Sequence, residues 1–111
     1  MSNDQANKIY EAVELAKKSG KIKKGSNEAT KAAERGIARL IVVAEDVSPK
    51  EVIMHLEPLC KEKNIPYATV PSKNDLGAAA GLQVGTSAIA IIKEGESKSI
   101  IDSLAKQWKK K

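Results

Sequence analysis

A three-layer α-β-α sandwich around a central four-stranded mixed sheet, an α/β fold, is predicted by three features of the 111-residue sequence. Helical and strand patterns alternate along the chain with short punctuation, which places helices on both faces of a sheet. Leu40-Ile41-Val42-Val43-Ala44 is apolar without alternation, as a strand covered on both faces must be. Ala29, Ala32 and Ala33 give one helix a face of small side chains that can lie close to a sheet. The length suits one domain spanning 1–111.

Each element follows from local chemistry. Ala6, Ile9, Ala12, Val13 and Ala16 recur at helical spacing over residues 4–18, and Gly20 ends that helix. Lys21 to Lys24 reads as a short strand, and Gly25 to Arg35 as a second helix stopped by Gly36. Leu40 to Ala44 is the second strand. Ser48-Pro49 opens a third helix as N-cap and first-turn proline, with Val52, Ile53, Leu56, Leu59 and Cys60 as its apolar face. Pro58 falls inside this helix and is expected to kink or split it. Ile65 to Val70 is a strand. Ser72 then caps a fourth helix, with Asp75 at the acidic end of a capping box. Gly77-Ala-Ala-Ala-Gly81 is read as a helix packed tightly on its neighbour. Ala88 to Ile92 is the last strand, and Ser97 or Ser99 caps a final helix through Ile100, Ile101, Leu104 and Trp108. Lys109-Lys110-Lys111 is expected to fray.

Composition excludes several functions. The chain has 41% apolar residues but no run of about 18 of them, so no membrane-spanning helix is expected. The polar start, Met1-Ser2-Asn3-Asp4-Gln5, lacks the order of a signal peptide. The lone Cys60 cannot form an internal disulfide, which suits a reducing, cytoplasmic setting. The net charge of +5 suggests an anionic partner. With no Phe, one Trp and two Tyr, the chain lacks the aromatic platform on which single-strand readers stack bases.

The second helix is the most informative segment. Asn27, Glu28, Lys31, Glu34 and Arg35 fall within an arc of about 120° at 100° per residue, opposite Ala29, Ala32, Ala33 and Gly36. Lys21, Lys23 and Lys24 lie just before it, and a helix N-terminus itself attracts phosphate. Two readings stand. One is a solvated face with helical pairs such as Glu28–Lys31. The other is a base-reading face. Asn, Lys and Arg donate to purine edges and Glu accepts from an amino or imino group, whereas lysines alone hold only phosphates. Asn27 can cap the helix or read a base.

Other motifs carry less. Gly20 to Ser26 superficially resembles a phosphate-binding loop but lacks a lysine directly after the second glycine. Residues 77–81 lack dinucleotide-binding spacing. His55 is the sole histidine and falls off the apolar stripe, so it is expected at the surface, and no metal site or cofactor is expected. Cys60 lies on the stripe and is read as core. Glu45-Asp46, at the end of a buried strand, is the best carboxylate pair, yet Asp46 can equally form a turn before Ser48-Pro49. With no nucleophile–base pair, no enzymatic activity is expected. On pattern alone, Leu82 and Val84 in Gly81-Leu82-Gln83-Val84-Gly85 begin the last strand and point into the core. The flanking Gly81 and Gly85 allow tight turns, and the expectation adopted is that Leu82 and Val84 both lie exposed in an apolar loop.

Several of these segments together resemble the archaeal ribosomal protein L7Ae family of kink-turn RNA binders. They are Lys23 to Gly36, with its Gly25-Ser26-Asn27-Glu28-Ala29-Thr30-Lys31 string, and Leu40 to Pro49. Leu59-Cys60, Ile65-Pro66-Tyr67, Pro71-Ser72-Lys73, Leu76-Gly77 and Ala80 to Gly85 complete the match, which runs from about Tyr10 to Gly95.

The resemblance implies a protein that grips a kink-turn, a sharply bent internal loop with sheared G·A pairs. It implies that Asn27 and Lys31 donate to guanine O6 and N7 and that Glu28 accepts from a guanine edge. Lys24, Gly25, Arg35 and Lys73 would hold the backbone, Glu45 and Asp46 would lie near the site with Asp46 orienting a basic partner, and Leu82, Gln83 and Val84 would meet the extruded base. The implied RNAs are rRNA, box C/D and H/ACA guide RNAs and RNase P RNA. The implied roles are in tRNA processing and ribosome biogenesis, beside large-subunit and guide-particle core proteins, with the chain a monomer in isolation. Two other readings are a ribosomal structural protein that binds rRNA by charge alone, and a small-ligand module or minor enzyme built on Glu45-Asp46 and the glycine-rich stretch.

Overall fold

The computed structural model describes residues 3–47 and 50–109. Helix α1 (Asn3–Ser19) leads into strand β1 (Lys21–Lys24), helix α2 (Ser26–Glu34) and strand β2 (Leu40–Ala44). Short helix α3 (Glu51–Met54), helix α4 (Leu56–Lys63), strand β3 (Tyr67–Val70) and helix α5 (Lys73–Ala79) follow. Strand β4 (Ala88–Lys93), a 3₁₀ turn at Gly95–Ser97 and helix α6 (Lys98–Lys109) complete the order.

The sheet is four-stranded and mixed, in the order β1-β4-β2-β3. β4 is antiparallel to both β1 and β2, and β2 is parallel to β3. β2 is central and all five of its residues are buried, as its unbroken apolar run requires. β1 is an edge strand, and its lysines also discourage pairing with a foreign strand. Helix α1 packs against α5 and α6, while α2 packs against α4 and on β1 and β4. Ala12 and Ala16 of α1, and Ala29, Ala32 and Ala33 of α2, are buried, so both helices lie close to their neighbours. Ile9, Leu40, Ile41, Leu56, Leu76, Ile89 and Ile91 are fully buried and anchor the core. Each contributes roughly 1.5–3 kcal/mol relative to exposure.

Differences from the sequence expectations have local causes. The third helix is split, as Pro58 suggests, but the break falls at His55. Pro58 has no N–H for the Met54 carbonyl and its ring clashes with it, so the ladder stops there and Pro58 sits in the first turn of α4. The Ser48-Pro49 start, the Val52 side chain and Lys110-Lys111 lie outside the described residues. Lys109 still belongs to α6. Cys60 is buried, as its place on the stripe requires. Gly36 is exposed beyond the end of α2 and not on its buried side. Residues 82–86 are neither helix nor strand, so Leu82 and Val84 do not begin β4. Ser97 directs its hydroxyl back to the Glu94 carbonyl, and Ser99 lies inside α6.

Candidate nucleic-acid interface

The strand directions bring the singled-out residues to one end of the sheet. The C-terminal ends of β1, β2 and β3 and the start of β4 share that end. Backbone bonds knit it together. Gly25 N–H donates to the Ala88 carbonyl (2.8 Å), Ala44 N–H to Ser87 (3.0 Å) and Glu45 N–H to Val70 (2.8 Å). Lys24, Glu45, Asp46 and Lys73 thereby come together at the mouths of three successive strand-to-helix connections.

Gly25 is the N-cap of α2 with φ 94° and ψ 156°, a conformation that side-chain-bearing residues rarely adopt. A Cβ there would meet nothing within 4 Å. Backbone conformation therefore demands the glycine, and the helix start stays open to a partner's backbone. No side chain caps α2, so Asn27 is not a cap: it stands in the first turn with its side chain exposed. Glu28, Lys31, Glu34 and Arg35 are also exposed. Lys31 Nζ and Glu28 Oε1 are 3.9 Å apart, with side chains 62% and 48% exposed. A pair so solvated is worth well under about 1 kcal/mol and leaves both groups available. Arg35 follows α2 directly, roughly 12 Å along the helix axis from Asn27.

Asp46 has a definite job. Its Oδ1 accepts from the Lys73 backbone N–H at 2.8 Å, and Ser72 Oγ accepts from Asp75 N–H at 3.2 Å. These bonds satisfy two of the free amides that open α5, and a carboxylate there is favoured by the helix dipole. The contact of Asp46 with Lys73 is therefore to its main-chain amide. Glu45 is exposed beside it.

Loop 81–86 returns along α5. Thr86 N–H donates to the Lys73 carbonyl (3.1 Å), and the buried Thr86 hydroxyl donates to Ala88 (3.2 Å). A Cβ on Gly77 would run into the Val84 carbonyl, so the close neighbour of this glycine is its own following loop. Val84 is 71% exposed and Gln83 is exposed, whereas Leu82 is half-buried against the core. The exposed apolar side chain of the loop is therefore Val84, whereas Leu82 packs against the core.

The sequence conceals two supports. Thr30 Oγ1 donates to the Ser26 carbonyl (2.7 Å) and lies 2.6 Å from His55 Nε2. The single hydroxyl proton is committed to Ser26, so His55 Nε2–H is the donor. His55 is exposed as expected, but it ties α2 to the α3–α4 break across 25 positions. Tyr10 OH makes a long 3.5 Å bond to the Ser72 carbonyl. Burial raises the Tyr10 pKa; the bond to Ser72 pulls it down, and Asp75 and Asp46 push it up further.

Among the described residues no group of three His, Cys, Asp or Glu side chains could hold a metal ion, and no helix is long and apolar enough to cross a membrane. The structure is similar to that of a Giardia lamblia 15.5kD RNA binding protein, with a TM-score of 0.91 and 29% sequence identity. The likeness covers 99% of this chain and 92% of that chain. Residues 7–101 match the family described as ribosomal protein L7Ae/L30e/S12e/Gadd45, a span wider than the motifs from Tyr10 to Gly95. The chain belongs to this ribosomal protein L7Ae/L30e/S12e/Gadd45 family.

Proposed function

We propose that this chain is a non-catalytic RNA-binding protein that recognises kink-turns, holds them in the bent state and so offers other proteins a docking platform. The observation that carries the reading is the exposed Asn27, Glu28 and Lys31 face beside the open Gly25 at the start of α2. A mixed donor and acceptor set of this kind suits guanine edges, which sheared G·A pairs leave open to the major groove. Family membership and the likeness to an RNA-binding protein support it. In this reading Lys24, Gly25, Lys73 and, further along, Arg35 hold backbone phosphates. Glu45 and Asp46 shape the edge, and Leu82, Gln83 and Val84 form the loop that covers the extruded base, with Val84 as its contact. The RNAs proposed are those of the ribosome, the box C/D and H/ACA guide particles and RNase P.

Binding only the bent state shifts the RNA population toward it. Fluorescence transfer between the two arms of a kink-turn RNA, in low magnesium, tests the reading. Saturating protein is expected to shorten the arm distance; an unchanged distance overturns the proposal.

A further inference from the structure

The charge excess of the chain is not where the base-reading face is. The ends of β1 to β3 and the first two turns of α2 and α5 carry Lys24, Lys31 and Lys73 against Glu28, Glu45, Asp46 and Asp75. Three cations face four carboxylates, so that end is not basic. The opposite end of the sheet holds Lys17, Lys18, Lys21, Arg39, Lys93 and Lys98 beside Glu94 and Glu96, while Glu34 and Glu62 at the ends of α2 and α4 are outnumbered there by Arg35, Lys61 and Lys63.

Backbone geometry places these cations together. Lys21 and Lys93 are cross-strand partners on β1 and β4, beside a register shift between Lys21 and Ile22. Arg39 N–H donates to the Ile91 carbonyl, and its guanidinium pairs with Glu94 at 3.7 Å. The Gly95 turn packs on Ser19, whose Oγ accepts from Glu96 N–H at 2.8 Å, which joins the end of α1 to the 3₁₀ turn that precedes α6. Lys17 is exposed, with its ammonium against Gly81. Lys18, Lys21, Lys93 and Lys98 are exposed, and none forms an ion pair among the described residues. Like charges directly opposite on paired strands repel, and a polyanion laid across them relieves that repulsion.

We propose that this basic edge is a second RNA contact, which holds the phosphate backbone of a helical segment outside the one gripped at α2. The inference rests on the RNA-binding reading of the chain, not on the kink-turn assignment. The two ends are separated by strands of 4 to 6 residues, roughly 13–20 Å. A bound chain would thus bridge two RNA elements. An edge of lysines without base-reading partners can hold phosphates but cannot specify sequence.

The test uses the full chain, presaturated with an unlabelled minimal kink-turn hairpin, and a labelled plain RNA duplex two helical turns long. The complex is expected to bind the duplex with strong salt dependence. The triple variant Lys18→Gln, Lys21→Gln, Lys93→Gln is expected to lose roughly tenfold in duplex affinity and to show a shallower salt slope. Its hairpin affinity and thermal melting should match wild type, which shows that the fold is intact. If the hairpin fails to bind, the kink-turn reading fails alone, and the duplex titration is run on free protein with the same expectation. Unchanged duplex affinity in the triple variant overturns the proposal. So does binding of a polyglutamate peptide at this edge in place of the duplex, which would assign it to an acidic protein.

Discussion

Glu28 is the residue whose charge opposes its proposed role. Removing a carboxylate should strengthen any contact governed by electrostatics alone, yet a base contact is worth about 1–3 kcal/mol of discrimination. Glu28→Gln is therefore expected to weaken kink-turn binding about fivefold or more, although it raises the net charge; tighter binding at moderate salt would leave a merely solvated face. Asp46 has a different function, because its bond to the Lys73 amide fixes the start of α5. Asp46→Ala should cost about 1 kcal/mol of stability, by analogy with loss of a helix cap, and thermal melting checks this. Cys60 lies at the opposite extreme: burial first, and Glu57 second, push its thiol from 9.0 up to about 12. Native protein at pH 8 should resist thiol reagents until unfolded. Because this pKa is raised in the folded state, its contribution to stability is intact below pH 9 and lost as pH rises toward 12. Tyr67, raised to about 12 by burial and then by Glu57, Cys60 and Glu45, adds to the same alkaline loss from pH 10 upward. Melting temperature measured from pH 8 to 11 should fall.

At the scale of elements, loop 81–86 carries one exposed and one part-buried apolar side chain, Val84 and Leu82. Val84→Ser should leave stability nearly unchanged and lower RNA affinity, since Val84 is exposed. Leu82→Ser should destabilise the fold by about 1–2 kcal/mol, less than a fully buried leucine would. Paired melting and titration curves distinguish the two, and a large stability loss from Val84→Ser would contradict the loop's assignment. The elements most legible in the sequence are those specified by local signals. The run Leu40 to Ala44 needs cover on both faces, Ser72 caps α5, and the alanines of α2 mark its buried side. The polar face of α2 was legible for the same reason, as periodicity alone places Asn27, Glu28 and Lys31 together. What stayed hidden depends on pairs distant in sequence. His55 meets Thr30, Asp46 meets the Lys73 amide, and Thr86 anchors the loop to α5, each through a bond that no periodicity encodes. Leu82 and Val84 share a motif but differ in burial because the chain turns between them in an irregular segment.

For the whole molecule, direction of the strands does most to assemble the site. Three strands ending together bring segments from residues 24, 46 and 73 to one end, and the same directions gather the unpaired lysines at the other. In the proposed reading, charge and base recognition thereby fall at different ends of one sheet. A protein held to RNA by charge alone would treat a kink-turn and a regular helix alike. The decisive measurement is a side-by-side titration of a kink-turn RNA and the same RNA with its G·A pairs replaced by Watson–Crick pairs, at moderate salt. Loss of two guanine contacts should cost at least about 2 kcal/mol, or roughly thirtyfold in affinity. The expected result is that gap for wild type and a narrower one for Glu28→Gln. Equal affinities of the wild-type protein for both RNAs would contradict base recognition by the α2 face.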